Sequence, residues 1–408
     1  MIAADGQGTQ TVAGGVTAPA GFRAAGVACG IKANGKPDLS LLVSDGEASA
    51  AAVFTTNVAQ AAPILVSREH LQQAQGRATA VVVNSGCANA CTGADGMRDA
   101  HEMTRLAAEA VQCGETSVLV ASTGVIGVKL PMAKVTAGIR TAAAALTHDG
   151  GADAARGIMT TDPFPKEAAA EVTVRGKTFR IGGMAKGSGM IEPMMATMLG
   201  FVTTDAGVEA ALLQRALKAA ADDTFNAISV DGECSTNDCV FALANGASGV
   251  QLGEADYPLL VSALKLVCEP LAIDIVRGGE GATKLMTIRV VGAKTNEDAK
   301  TTARAIANSP LVKTAVHGGD PNWGRLVAVA GRATRTLVLE HARVRVGPVE
   351  LFANGAPYDE RAPEAAEYLQ GKNIAIEVDL GTGGSGEARM WSCDLTAEYV
   401  RINADYRT

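Results

Sequence analysis

Two strand-like runs, Glu171 to Val174 and Thr178 to Ile181, meet at Arg175-Gly176-Lys177. The second leads straight into Met184-Ala185-Lys186-Gly187-Ser188-Gly189. The alternation around a central glycine predicts a hairpin. Beyond the glycines comes Ala196-Thr197-Met198, then Leu199 to Thr204, which reads as a further strand. A hairpin, a glycine hinge and a strand in this order place Thr197 at a strand start, where a sheet can hold a reactive side chain.

A threonine inside a chain is a weak nucleophile because its own nitrogen is an amide. Cleavage of the Ala196–Thr197 bond would free an α-amine with a pKa of about 7.7–8.0, able to act as base for the hydroxyl of the same residue. Glycine flexibility before the bond and the small Ala196 suit attack by the Thr197 hydroxyl, an N-to-O acyl shift completed by hydrolysis.

The rest of the chain alternates strand and helix patterns. Leu39 to Val43, Ala80 to Val83 and Ser117 to Val120 read as buried strands. Helical spacing links Ala100, Met103, Ala107 and Ala110, and likewise Leu213, Ala216, Leu217 and Ala220. A third helix starts at Pro258, with Leu260, Ala263, Leu264 and Val267 on one face. The stretch up to about Phe22 has no period and reads as an arm or loop. A boundary falls near Gly278-Gly279-Glu280-Gly281. After it, Thr287 to Val291, Val344 to Leu351, Ile374 to Leu380 and Met390 to Leu395 are strand candidates. At 408 residues, two or three domains or subdomains are expected.

Composition excludes several classes. Aromatics at 4% and a net charge of −7 without a basic block argue against nucleic acid. The first residues lack the basic and apolar regions of a secretory signal, and no apolar run reaches the ~18 residues a membrane helix needs. Eight scattered cysteines fit reduced, mostly buried thiols in a cytoplasmic protein.

Lys186-Gly187 reverses the Gly-Lys order of a phosphate-binding loop. Arg23 to Ala28 fits a loose acetyl-CoA pattern, but Cys29-Gly30 follows where a helix should open, so the match is read as chance. Cys87 and Cys91 lack partners at zinc-like spacing, and none of the five histidines has an i, i+4 partner, so no metal is expected. Val120 to Gly127 is either a plain strand exit or an oxyanion hole made by the Thr123 hydroxyl and the Gly124 N–H. His317 to Arg325 reads as a structural corner in preference to a pocket wall.

Taken together, Lys186 to Ile191, Met195 to Leu199, Ser229-Val230-Asp231-Gly232, Ser235 to Asp238, Gly279 to Lys284 and Gly319 to Arg325 resemble the ornithine acetyltransferase (glutamate N-acetyltransferase) family of arginine biosynthesis. The resemblance covers nearly the whole chain. It implies an α/β fold: a four-layer αββα sandwich of the ornithine acetyltransferase and L-aminopeptidase/D-esterase type, with a smaller C-terminal α/β domain. Residues 1–283 would form the catalytic body and residues 284–408 the domain whose end reaches the site. Self-cleavage would give chains 1–196 and 197–408 that stay associated, as a dimer of such units or higher.

The implied reaction is ping-pong. Thr197 takes the acetyl group of N-acetylornithine, ornithine leaves, and glutamate accepts the acetyl to give N-acetylglutamate. Thr123 and Gly124 would hold the oxyanion. Thr160, Lys186, Thr197, Glu280, Asn403 and Thr408 would contact substrate. No cofactor is implied, and acetyl-CoA stands open as an additional donor. The chain departs from the family pattern at Met194 and Glu192. An aminopeptidase or amidase of the related fold is the alternative.

Overall fold

The computed structural model describes residues 8–192 and 198–405. The chain forms two units. One comprises the chain up to Asn226 together with Glu233–Ile275, and the other Ala227–Gly232 with Val276–Arg407.

The first unit contains β1 (Gly8–Val12), β2 (Phe22–Val27), β3 (Leu39–Phe54), α1 (Ala62–Gln73), β4 (Arg77–Cys87), α2 (Gly93–Val111), β5 (Val118–Val125), α3 (Met132–Ala144) and α4 (Gly151–Gly157). It continues with β6 (Lys166–Val174), β7 (Lys177–Lys186), β8 (Leu199–Thr204), β9 (Gly207–Val208) and α5 (Ala210–Asp223). After β10 (Ile228–Ser229), which belongs to the second unit, it resumes with β11 (Cys239–Ala244), β12 (Gln251–Leu252) and α6 (Tyr257–Arg277).

Its main sheet runs β1-β6-β7-β8-β11-β3-β4-β5, with β2 added on β3. Strand β3 belongs to two faces. Leu39 to Ser44 pairs with β2, whereas Ser49 to Phe54 pairs with β11, and the register against β4 shifts between Val43 and Ala48. Such a shift bends a strand and increases its twist, so one sheet folds over to face itself.

Between the two faces lies one core, in which Phe22, Leu42, Val81 and Leu119 meet Met184, Phe201 and Phe241. Outside the β2–β5 face, Leu41 and Val120 pack with Met103 of α2 and Ile139 of α3. Outside the β7–β11 face, a Cβ on Gly183 would fall 2.7 Å from Val267 of α6, so that helix lies directly on the strand. Gln214 of α5 caps Ala52 by hydrogen bonds of 3.0 and 2.9 Å to its N–H and C=O. The layers are therefore helix, sheet, sheet, helix, the αββα order expected from the resemblance.

The second unit holds α7 (Asn296–Ala307), α8 (Pro310–Gly318), α9 (Trp323–Ala333), α10 (Ala362–Tyr368) and α11 (Ala397–Asp405) with one further sheet. Its strands are β10, β13 (Leu285–Ala293), β14 (Arg343–Val346), β15 (Val349–Ala353), β16 (Ala356–Pro357), β17 (Asn373–Asp379) and β18 (Gly386–Cys393), in the order β10-β18-β13-β17-β14-β15-β16. Its own core joins Ile288, Ile306, Leu326, Val344 and Ile376.

Two expectations change. The stretch before Phe22 contains the edge strand β1, whose residues stay mostly exposed and pair with β6 through backbone alone, leaving no apolar pattern to read. Val344 to Leu351 is two antiparallel strands, because Gly347 turns at φ +57° and Pro348 cannot continue a ladder. As the sequence reading expected, the Arg23-to-Ala28 pattern opens no helix: Arg23 to Val27 lie in β2, and a Cβ on Gly26 would meet the Asp153 carbonyl at 1.8 Å, a packing reason for that glycine. Among the described residues no helix is long and apolar enough to cross a membrane.

Phe241 is fully buried, with edge-on contacts to Phe54 and Phe201 at centroid distances of 6.0 and 5.9 Å. Replacing it by alanine would leave a cavity between the two sheet faces. Phe241→Ala is expected to cost about 3–5 kcal/mol, read as a lower urea midpoint for the first unit.

Candidate active site

Strand β7 ends at Lys186, a lysine only 3% exposed. A buried ammonium must find partners, and Lys186 Nζ donates to Thr123 Oγ1 of β5 at 3.1 Å. Asp162 supplies the counter-charge. Its Oδ1 accepts from Lys166 Nζ at 2.5 Å and from the Gly187 N–H at 2.8 Å, and its Oδ2 accepts from the Thr160 N–H at 2.9 Å. The Asp162 and Lys166 side chains are both fully buried. Burial alone would raise the Asp162 carboxyl, but the charges of Lys166 and Lys186, with these hydrogen bonds, outweigh it and hold the carboxyl at about 2. One carboxylate thus fixes Thr160, the Lys186–Gly187 turn and two cations.

Thr123 and Gly124 sit where β5 leaves its pairing with β4. The register slips beside Gly86, and Cys87 faces both Thr123 and Val125. Gly124 has φ +128°, and a Cβ there would lie 2.3 Å from the Gly86 carbonyl carbon. Only glycine fits, because the Gly86–Cys87 backbone fills the space a side chain would need. Behind Thr123 is a buried polar network. Ser122 Oγ donates to Asn84 Oδ1 at 2.6 Å, while the Asn237 amide donates to the carbonyls of Ala88 (2.6 Å) and Ser122 (2.9 Å). Fully hydrogen-bonded buried networks hold one arrangement, so Asn237 and Asn84 hold the strand segment that carries Thr123.

Lys32 is a cation that sequence reading missed. Its Nζ donates to Met159 O at 2.7 Å, next to Thr160, and to Pro37 O at 2.6 Å. Burial lowers its pKa most, Asp38 and Asp162 partly oppose that, and Lys186 lowers it further, leaving it at about 8. Asp38 is itself fully buried and accepts from the N–H groups of Cys29, Gly30 and Lys32. Nothing in the local sequence of Lys32 separates it from a surface lysine; only the fold brings it here.

In the second unit Glu280 is buried and accepts from Asn403 Nδ2 of α11 at 2.8 Å. Two of the expected substrate contacts are therefore joined to each other. Tyr399, one turn earlier on α11, donates to Asp231 at 3.2 Å. His317 to Arg325 is a corner between α8 and α9, with Gly319 left-handed at φ +71° and Asn322 capping α9 through the Arg325 N–H. All eight cysteines are free. Cys87, Cys239, Cys268 and Cys393 are buried, Cys91 is exposed and the others lie between. Ala196, Thr197, Met194 and Thr408 lie outside the described residues. Leu199, two residues after Thr197, pairs with Lys186 across β7 and β8.

A buried cation against a hydroxyl, beside a glycine N–H at a strand exit, is an arrangement that suits stabilisation of an acyl-transfer oxyanion. The comparisons with known proteins agree in class. The sequence matches the ArgJ family over residues 23–408, and the chain belongs to that family.

It is 53% identical over 404 residues to the arginine biosynthesis bifunctional protein ArgJ of Symbiobacterium thermophilum, covering 97% of this chain and 99% of that protein. It is 48% identical over 411 residues to the ArgJ protein of a Synechococcus strain, covering 98% and 99%. Among solved structures, an ornithine acetyltransferase from Mycobacterium tuberculosis, complexed with ornithine, is 43% identical. That match covers 46% of this chain and 98% of that one, with a TM-score of 0.42.

Asp162→Asn would remove the buried carboxylate paired with the buried Lys166. It is expected to cost about 3–5 kcal/mol, measured by urea unfolding at pH 7. Because the Asp162 carboxyl is lower in the folded chain than the ordinary 3.8, its contribution is complete above about pH 4 and is lost as pH falls toward 2. The wild type should lose stability through that window, and the variant should lack this component.

Proposed function

We propose that this chain is an acyltransferase of arginine biosynthesis that moves acetyl from N2-acetyl-L-ornithine to L-glutamate. Thr197 carries the acetyl group after autoproteolysis at Ala196–Thr197. The Lys186–Thr123 hydrogen bond, two residues of chain from Thr197 through the Lys186–Leu199 pair, is the observation that carries this reading within an ArgJ-family sequence.

In this mechanism the freed amine of Thr197 takes the proton of its own hydroxyl as Oγ1 attacks the acetyl carbonyl. The carbonyl oxygen becomes an oxyanion facing the Thr123 O–H and the Gly124 N–H. Lys186 donates to Thr123 Oγ1, so the Thr123 proton points away from Lys186, and the ammonium strengthens that O–H as a donor. Collapse of the intermediate expels ornithine, whose nitrogen takes the proton back from the Thr197 amine. Glutamate then attacks the ester by the same route in reverse. Lys186 and Lys32 around Asp162 make this face of the unit favour a substrate carboxylate. The same acetyl-threonine can be loaded from acetyl-CoA, with the thiolate as leaving group.

A related hydrolase would differ only in the acceptor, since water would replace glutamate. Purified protein should run as two fragments on a denaturing gel and convert N-acetylornithine plus glutamate to ornithine plus N-acetylglutamate. A single band, or acetate as the sole acyl product, overturns the reading. Thr197→Ala is expected to stay uncut and inactive. Thr123→Ala should lower the exchange rate about 10²–10³-fold with the chain still folded, as loss of one oxyanion donor does. Thiol release from acetyl-CoA in the presence of glutamate tests the second donor.

A further inference from the structure

Away from Lys186 and Thr123, three potential metal ligands converge on one face of the first unit. His70 lies on α1, His101 on α2, and Glu115 in a short 3-10 turn, Glu115–Ser117, that leads into β5. One ligand atom from each lies within 4.8 Å of the other two. The two imidazole rings are 5.8 Å apart between centroids and tilted by 48°. His70 is only 2% exposed, and its Nδ1 is 2.8 Å from the Val118 carbonyl oxygen. A carbonyl can only accept, so Nδ1 carries the hydrogen and Nε2 is the ring nitrogen that can offer a lone pair to a metal. A backbone carbonyl that fixes the tautomer in this way is the usual support behind a metal-binding histidine.

We propose that His70, His101 and Glu115 bind a divalent transition-metal ion of the zinc class, as a site that ties α1, α2 and the start of β5 together. Two imidazoles and one carboxylate are borderline nitrogen and oxygen donors, suited to zinc, cobalt or nickel, whereas magnesium and calcium select oxygen ligands. Ligands at about 2.0–2.2 Å from a tetrahedral ion stand about 3.3–3.6 Å apart. Side-chain rotation of the exposed Glu115 and the partly exposed His101 closes the remaining gap, and water completes the shell. Glu69, beside His70 on α1, has its Oε2 3.8 Å from His101 Nε2 and adds negative charge at the rim.

The site sits at the first residue of β5, while Thr123 lies five residues further along, about 17 Å away at strand rise. The ion therefore acts on the fold and leaves acetyl transfer alone. Because the three ligands come together only in the folded chain, binding stabilises it.

The test uses untagged, chelator-treated, full-length protein titrated with zinc chloride by calorimetry. One ion per chain is expected, with a Kd of about 10 µM or tighter and a raised unfolding temperature. Cobalt chloride should give the visible bands of a four-coordinate nitrogen/oxygen site. His101→Ala and Glu115→Gln should each weaken zinc at least about tenfold, with gel pattern and acetyl exchange unchanged. No saturable zinc binding up to about 100 µM overturns the proposal. So does wild-type affinity in His101→Ala, which would mean that zinc is held elsewhere, on the cysteines for example.

Discussion

The Asp162 carboxylate is the constraint on which the site in the first unit depends. Two lysines, Lys166 at the start of β6 and Lys186 at the end of β7, are buried side by side at the same end of one hairpin. Neither could stay charged there without a buried anion. Asp162 meets that need and uses its remaining capacity on backbone, accepting from Thr160 and Gly187. Electrostatics and chain direction are thus settled by one group. The turn after β7 is held at the point where the sequence heads toward Thr197, and Lys186 is aimed at Thr123.

The other half of the arrangement is built from glycine and amide geometry. Gly86 and Gly124 approach so closely across β4 and β5 that no larger residue fits at Gly124. The disrupted pairing is tolerated because Asn84, Ser122 and Asn237 absorb the polar groups it leaves behind. A slip that would weaken an ordinary sheet here falls on the strand end that carries Thr123 and Gly124. Asn237 follows directly from Ser235-Thr236, a segment whose value is otherwise hard to see, since its reach to β5 spans more than a hundred residues of sequence.

What could be read in advance follows the range of the interaction. The hairpin from Glu171 to Ile181 and the strand Leu199 to Thr204 were legible because alternation and a turn glycine are local signals. The helices carrying Met103, Leu217 and Leu264 showed their apolar faces for the same reason. The double membership of β3 was not legible, since its bend depends on partners brought in by β2 and β11. Asp162 stood inside Thr161-Asp162-Pro163, where a turn aspartate is the ordinary reading, and Lys32 looked like a surface lysine. Their roles arise from neighbours far along the chain. The edge strand β1 was invisible for a different reason: it is held by backbone hydrogen bonds and buries almost nothing.

The histidines show the same limit in its sharpest form. A search along one helix finds no pair at i, i+4, and for a single helix that conclusion is correct. His70 and His101 meet because α1 and α2 pack on the same outer face of the β4–β5 pair, and the Val118 carbonyl then dictates which nitrogen of His70 can act. A ligand set assembled across elements has no spacing rule, so it becomes visible only once the fold is known. Asp162 and its lysines obey the same logic. In both places the chemistry belongs to strand ends and helix faces that the αββα layering brings together.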